Sequence, residues 1–158
     1  MNDLINQDQI IQKTLSSAKN IAMVGASSLK KEDKSNLIRK PSIIVMSYLK
    51  EFGYKVIPVN PFSLGKKIND EDVVAKLEDI KIPIDIVNVF RPSKEAVSIA
   101  EQAIKIGAKT LWLQYGVQND KAKKMVEEKN ITYIANKCIK QEYQRLFLKV
   151  NPVFPVLK

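Results

Sequence analysis

The sequence predicts an α/β fold, a Rossmann-like, doubly wound and mainly parallel sheet of five strands with helices on both faces. Short apolar runs bounded by turn residues alternate with longer segments of helical period. The runs recur about every 25–35 residues, which leaves room for a crossover helix between parallel strands. Because right-handed crossovers allow few topologies, we expect the Rossmann-like strand order 3-2-1-4-5.

The predicted strands are continuous apolar runs, as expected of strands buried on both faces. They cover residues 20–25, 54–59, 84–90, 109–114 and 131–135.

The predicted helices lie before, between and after these runs. They cover residues 6–18, 41–52, 71–77, 92–106, 119–129 and 139–148. Pro41 suits a first helical turn, where its missing N–H group costs nothing, and Gly53 and Gly107 end their helices. We expect residues 1–148 to form one domain and residues 149–158 a loose tail.

Length and composition favour a single domain in a reducing compartment. The chain has 158 residues, 45% of them hydrophobic, which suits one domain. The lone cysteine, Cys138, excludes an internal disulfide. No run approaches the roughly 18 apolar residues of a membrane span, and no basic region followed by an apolar run opens the chain. We therefore expect a cytoplasmic protein that does not enter the membrane.

Histidine is absent from the chain. Ser–His and Cys–His nucleophile pairs and phosphohistidine chemistry are therefore excluded, and a structural zinc site is not expected with a single cysteine. The sequence predicts no catalytic residues and no metal site.

The net charge is +9, which favours an anionic partner such as a phosphorylated ligand, acidic lipid or nucleic acid. The alternative is a composition bias with solvated lysines throughout. Basic residues are dense only between residues 30 and 40.

Ligands of an open parallel sheet bind beyond the carboxyl ends of its strands, where the strand order reverses. The residues that follow the predicted strands are therefore candidates for a site. They are Gly25, Ala26, Ser27 and Ser28, then Asn60 and Pro61, then Phe90 and Arg91, then Gln114 and Gly116.

A glycine after the first strand lets the backbone approach an anion, although a tight turn explains Gly25 equally well. A phosphate at the helix that begins with Pro41 and Ser42 would meet free N–H groups and the nearby Arg39 and Lys40. The alternative there is a solvated loop.

Two features count against NAD(H). The glycine pattern after the first strand lacks a second glycine, and the second strand ends at Asn60-Pro61 without the acid that usually binds the ribose.

The chain resembles the small stand-alone CoA-binding domain proteins, relatives of the CoA-binding domain of succinyl-CoA synthetase α subunits. The resemblance covers roughly residues 19–146 and depends on separate motifs that occur in register. They include Val24-Gly-Ala-Ser27, Arg39-Lys-Pro-Ser42, Tyr54-Lys-Val-Ile-Pro-Val-Asn-Pro61, Asp85-Ile-Val-Asn-Val-Phe-Arg91, Leu111-Trp-Leu-Gln114 and Asn136-Lys-Cys-Ile139.

The resemblance implies a set of CoA contacts. The diphosphate would lie against Gly25, Ala26, Ser27 and Ser28, and the phosphate-facing helix would present Arg39, Pro41 and Ser42, although Lys40 separates Arg39 from Pro41 here. Asn60 and Pro61 would border the adenosine, with Lys66 or Lys67 near a phosphate, and Phe90, Arg91, Gln114 and Gly116 would border the pantetheine. The loop of residues 29–38 is longer than the family's connection, and Tyr143 stands where members often carry histidine.

Cys138 follows the fifth predicted strand on the ligand side of the sheet. It would lie close to the CoA thiol in a functional interpretation, and would be a small buried residue under the last helix in a structural one. The related ligases use a further domain with a phosphorylated histidine, so we expect this chain to be no enzyme by itself. A homodimer through the outer helices, or an unidentified protein partner, stays open.

The sequence therefore favours a non-catalytic CoA-binding module whose ligand is CoA or a short acyl-CoA. The first alternative is an NAD(H)-binding redox sensor or enzyme. The second is a nucleic-acid binder, although the basic residues lack the interleaved aromatics of a stacking platform.

Overall fold

A parallel α/β sheet organises the chain in the computed structural model, which describes residues 2–26 and 41–149. The described helices and strands are α1 Asn2–Ser17, β1 Asn20–Val24, α2 Pro41–Glu51, β2 Lys55–Val59, β3 Lys67–Ile68, β4 Glu71–Asp72, β5 Ile86–Val89, α3 Ala96–Lys105, β6 Thr110–Leu113, α4 Asp120–Glu127, β7 Thr132–Ile134 and α5 Ile139–Tyr143. The predicted fold class is confirmed, since the five long strands pair in parallel.

The strand order differs from the prediction. The main sheet runs β2-β1-β5-β6-β7, so the five long strands are ordered 2-1-3-4-5, and the predicted order 3-2-1-4-5 is wrong. Pro58 explains why β2 lies at the edge, because proline has no N–H group to donate to a further strand. Val74 covers that edge, donating its N–H to the Pro58 carbonyl at 3.0 Å and accepting from the Asn60 N–H at 2.9 Å.

The predicted helix of residues 71–77 is also wrong. A small antiparallel hairpin of β3 and β4 occupies part of this segment, and a 3-10 helix, Leu77–Asp79, follows it. Asn69 and Asp70 have left-handed φ angles of 48° and 66°, and such a pair of residues forms the tight turn of a hairpin. The β-branched Val73 and Val74 then favour extended backbone over helix.

Two hydrophobic clusters lie on opposite faces of the main sheet. Ile11 and Leu15 of α1 pack with Met46 of α2 and Ile139 of α5 on one face. Helices α3 and α4 cover the other face and are represented there by Ala100 and Val126. Trp112 is fully buried in the first cluster, and its indole N–H donates to the Lys137 carbonyl at 2.8 Å. Trp112 is therefore a core residue rather than part of the ligand-facing surface.

Several helix ends differ by a few residues from the prediction. The first helix begins at Asn2, and α3 is preceded by a 3-10 turn, Ser93–Glu95. After α5 the chain continues in a π-helical turn, Gln144–Leu148. In the part of the chain that the structure describes, no helix is both long and apolar enough to cross a membrane.

Candidate functional site

The strand order places Gly25 beside the residues that follow β5. The Gly25 N–H donates to the Val59 carbonyl at 2.9 Å, and its φ angle is 88°. A Cβ atom at Gly25 would lie only 2.8 Å from Cδ of Arg91 and 3.0 Å from the carbonyl oxygen of Phe90. The Arg91 side chain therefore lies directly against the Gly25 backbone, at the point where the strand order reverses.

Arg91 makes a two-pronged ion pair with Glu95. Its Nε donates to one carboxylate oxygen at 3.0 Å and its Nη2 to the other at 2.7 Å. The hydrogen bond from Arg91 lowers the pKa of Glu95, and the same bond raises the pKa of Arg91, so both stay charged at neutral pH. The two side chains are about 40% exposed, at 41% and 37%, so an incoming anion can reach the guanidinium.

Asn60 connects the ends of β2 and β1. Its side-chain amide donates to the Ala26 carbonyl at 2.8 Å, and its Oδ1 accepts from the Phe62 N–H at 2.9 Å. The second bond caps a 3-10 turn, Pro61–Ser63, and leaves Phe62 exposed above the end of β2. Ala26 is buried, which holds the backbone after Gly25 against the sheet.

A groove of about 510 Å³ begins at these residues and runs along α3. The upper part of the groove is formed by residues that follow the strands and by the start of α3. The lower part is formed by the 3-10 helix after β4 and by the end of α3. The residues lining it include Val24, Gly25, Val59, Asn60, Pro61, Phe62, Lys76, Glu78, Arg91, Glu95, Ile99, Gln102 and Lys105.

The lower part of the groove carries a second group of charges. Glu78 accepts a hydrogen bond from Lys105 at 3.0 Å and one from Lys76 at 3.4 Å. The hydrogen bond from Lys105, followed by the charge of Lys105 and the contact with Lys76, lowers the pKa of Glu78. Together with Arg91 and Glu95, the groove lining thus contains three cations and two carboxylates, which favours a ligand with net negative charge.

The carboxyl ends of the strands form one edge of the sheet, the strand-end rim, and the part of this rim farthest from β2 is formed by the ends of β6 and β7. Gln114 is 9% exposed, and its Oε1 has no hydrogen-bond partner among the residues that the structure describes. The Gly116 N–H donates to Oδ1 of Asn136 at 2.7 Å. Cys138 is half-buried immediately before α5 and packs against the cluster that contains Trp112.

The structure brings four predicted residues, Gly25, Asn60, Pro61 and Arg91, together in the groove. Four other predicted residues are not part of its lining. Phe90 follows β5, Gln114 and Gly116 follow β6, and Cys138 lies between β7 and α5.

The remaining predicted residues lie elsewhere or outside the described part. Pro41 and Ser42 begin α2, with Pro41 exposed and Ser42 buried. Lys66 is exposed before the hairpin and is not part of the groove lining. Ser27, Ser28, Arg39 and Lys40, with the rest of the basic segment, lie outside the described residues.

Sequence reasoning missed seven polar or aromatic residues of the groove. They are Phe62, Lys76, Glu78, Glu95, Ser98, Gln102 and Lys105. Three of them, Glu95, Gln102 and Lys105, share one stripe of the helix that follows the third long strand, and this periodicity could have indicated them. Lys76 carried no such signal, because the helix predicted for residues 71–77 does not form, and Glu78 lies just after that segment, in the 3-10 helix Leu77–Asp79.

Within the described residues no three histidine, cysteine, aspartate or glutamate side chains are grouped closely enough to hold a metal ion.

A parallel doubly wound sheet with an anion-attracting groove at its reversal point defines a nucleotide-binding α/β domain. Residues 19–144 match the family described as the CoA binding domain, and the chain belongs to that family. The predicted family resemblance is confirmed.

Three relatives match most of the chain. YneT of Bacillus subtilis (strain 168), an uncharacterized protein, is 38% identical over 133 residues, which are 82% of this chain and 89% of YneT. The cell-free ID.343 structure of Thermus thermophilus is 36% identical with a TM-score of 0.79, covering 89% of this chain and 98% of that one. A hypothetical protein of Pyrococcus horikoshii OT3 is 37% identical with a TM-score of 0.77, covering 88% and 91% of the two chains.

Proposed function

We propose that the chain is a non-catalytic module that binds CoA, or a short acyl-CoA, with its nucleotide in the groove and its pantetheine arm along the strand-end rim. The single observation that carries this proposal is the position of Arg91, whose side chain lies over the bare backbone of Gly25 at the mouth of the groove. A guanidinium beside a residue that has no side chain leaves room for a diphosphate, and guanidinium forms paired, charge-assisted bonds with phosphate oxygens.

The adenosine has a suitable surface on the β2 side of this point. Pro61, Ile99 and the aliphatic Val24 and Val59 line the groove there, and Phe62 is 87% exposed at its mouth. An exposed aromatic ring at the entrance to a groove offers a face on which a base can stack.

The pantetheine arm would then follow the rim toward β6 and β7. Successive strand ends are about 4.8 Å apart, so Gly25 on β1 and Gln114 on β6 are separated by roughly 10 Å across the sheet. The buried Oε1 of Gln114 accepts no hydrogen bond from the described residues, and an amide N–H of pantetheine is a donor that would supply one. The cysteamine end would lie toward Cys138.

Isothermal titration calorimetry tests the proposal with CoA, acetyl-CoA, NAD⁺, NADH and an oligonucleotide of unrelated sequence. We expect heat with CoA and acetyl-CoA only. Arg91→Ala should weaken CoA binding by roughly tenfold or more, which corresponds to at least about 1.4 kcal/mol. Lys121→Ala, an exposed lysine on α4 outside the groove lining, is the matched control and should bind like the unmodified chain.

Two further measurements separate the alternatives. Gln114→Leu should weaken CoA binding but not the binding of adenosine 3′,5′-bisphosphate, which has no pantetheine. Heat with NADH and none with CoA would replace the proposal by the dinucleotide alternative, and tight salt-sensitive binding of the oligonucleotide alone would replace it by nucleic-acid binding. Loss of the acetyl-CoA thioester faster than in a protein-free blank would contradict the non-catalytic role.

A further inference from the structure

A second pocket lies at the edge of the sheet opposite the strand-end rim. Its volume is about 260 Å³, and it is formed by the second half of α1 and by the first residues of three strands. Those first residues are Ile86 of β5, Thr110 of β6 and Thr132 of β7. None of its lining residues is shared with the groove, which begins at the other end of the strands. The pocket is therefore separate from the proposed CoA site.

The pocket exists because small polar side chains occupy positions where the sheet elsewhere carries large apolar ones. Ile86, Thr110 and Thr132 are paired in register, so their side chains form one row on the face of the sheet that α1 covers. Two residues further along β6 and β7, the same face carries the buried Trp112 and Ile134. The shorter threonine side chains do not fill the corresponding space beneath α1.

All three threonines of the chain line this pocket, namely Thr14, Thr110 and Thr132. Thr110 is only 4% exposed, and neither its hydroxyl nor that of Thr132 makes a hydrogen bond with the described residues. A buried hydroxyl without a hydrogen bond is unfavourable, so a bound group that accepts from it is stabilised there. Because neighbouring strands are about 4.8 Å apart, the hydroxyls of β6 and β7 can donate to one small group placed between them.

The charged groups around the pocket favour an anion. Lys13 of α1 and Lys109, which precedes β6, both line it and are exposed. Asp85 is the one carboxylate among the lining residues, and its Oδ2 already accepts the N–H groups of Lys19 and Asn20 at 2.8 and 2.9 Å. Its Oδ1 lies 3.4 Å from the ammonium of Lys109, whose side chain is 79% exposed. Because so exposed a pair is weak, Lys109 can turn to an incoming anion, and the lining then offers two cations against one carboxylate that backbone donors hold.

We propose that this pocket binds a small oxyanion, an inorganic phosphate or a short carboxylate, which accepts from the hydroxyls of Thr110 and Thr132 and whose charge is balanced by Lys13 and Lys109. Hydroxyl and ammonium groups are the donors that such anions bind in proteins. The volume suits one such group with a few waters, since a water molecule takes about 30 Å³ of the liquid. This inference does not depend on the proposed function.

Amide NMR of the full, ¹⁵N-labelled chain tests the inference by titration with sodium phosphate and with sodium acetate. Sodium chloride at the same ionic strength is the control. We expect saturable shifts of the Thr110 and Thr132 amides with a Kd on the order of 1 mM for phosphate or for acetate, and none with chloride. Comparison of the two titrations identifies the class of oxyanion that the pocket prefers.

Two double variants separate the hydroxyls from the charges. Thr110→Val/Thr132→Val keeps the shape of both side chains and removes both donors, so it should weaken binding by roughly tenfold or more. Lys13→Ala/Lys109→Ala removes both cations and should weaken binding by roughly tenfold as well. The two lysines are exposed, so this second test does not depend on how the fold tolerates substitution of the buried threonine. Thermal unfolding of each variant checks that the fold is intact.

The control variant is Lys66→Ala/Lys121→Ala, which changes the net charge equally at exposed positions outside the lining and should bind like the unmodified chain. Equal shifts with chloride, or undiminished binding in the variant that lacks Lys13 and Lys109, overturn the inference. Saturable shifts confined to the amides around Gly25 also overturn it, because they place the anion in the groove, and they leave the proposed function standing.

Discussion

Replacement of Gly25 by alanine isolates the close approach between β1 and the residues after β5. The added methyl group meets Cδ of Arg91 at 2.8 Å and the Phe90 carbonyl oxygen at 3.0 Å, and the φ angle is 88°. An alanine in the left-handed region costs roughly 1–2 kcal/mol. The Arg91 side chain can move away, but the Phe90 carbonyl belongs to the backbone after β5, and overpacking of this kind costs typically about 1–3 kcal/mol more.

Gly65 supplies the matched control. Its φ angle is 86°, almost that of Gly25, and no atom in the described part of the chain lies within 4 Å of a Cβ atom built there. Gly65→Ala should therefore carry the cost of the backbone conformation alone. The difference between the two variants measures the contact with Arg91 and Phe90, free of the conformational term.

Urea and thermal unfolding give the two numbers. For a chain of this size, the additional 1–3 kcal/mol should lower the Tm of Gly25→Ala by roughly 2–12 °C relative to Gly65→Ala. A Gly25→Ala/Arg91→Ala variant should regain part of the loss because the 2.8 Å contact is gone. Equal losses in the two glycine variants would refute the steric argument, and with it the close seating of Arg91 on Gly25.

Two further substitutions test features that hold the frame around the site. Burial raises the pKa of the Asp85 carboxyl, but the N–H groups of Asn20 and Lys19, with Lys109, lower it below its ordinary value overall. A carboxyl whose pKa is lowered by folding stabilises the folded state at pH values above its unfolded pKa of about 3.9. Asp85→Asn should therefore lower the free energy of unfolding by about 1–3 kcal/mol at pH 7, and urea unfolding should show this loss shrinking as the pH falls below 4. A loss that does not change with pH would contradict this. Asn119 caps α4 by accepting from the Ala122 N–H at 2.9 Å, so Asn119→Ala should lower the free energy of unfolding by about 0.5–2 kcal/mol, whereas the exposed neighbour Gln118→Ala should change it little.

The fold class was predictable because buried parallel strands have a simple signature. The apolar runs that contain Ile21, Val87 and Leu111 recur at crossover spacing, and each proved to be a strand of the sheet. The strand order was also accessible in principle. Pro58 lies inside the second run, and a proline there argues for an edge strand, whereas the order 3-2-1-4-5 would make that strand internal.

The hairpin of β3 and β4 was harder to predict. Its strands have two residues each, too few for an alternating pattern, and its turn depends on the left-handed Asn69 and Asp70. What holds the segment is tertiary: Val74 bonds to the edge of β2, and Glu71 pairs with Lys50 of α2 at 3.0 Å and Lys55 of β2 at 2.9 Å. These partners are distant in the sequence, so the residues next to the hairpin in the chain do not indicate them.

The error in the predicted strand order also explains why the groove residues on α3 were not predicted. In the order 3-2-1-4-5 the reversal point lies between the first and fourth strands, so Gly25 would face Gln114. In the observed order it lies between β1 and β5, so Gly25 faces Arg91, and α3, which follows β5, becomes a wall of the groove. We would then expect Glu95, Gln102 and Lys105 to line the groove, because they form one polar stripe beside the buried face of α3. Pro58, because it places the second strand at the edge of the sheet, thus indicates that Arg91 is the neighbour of Gly25 and that α3 lines the groove.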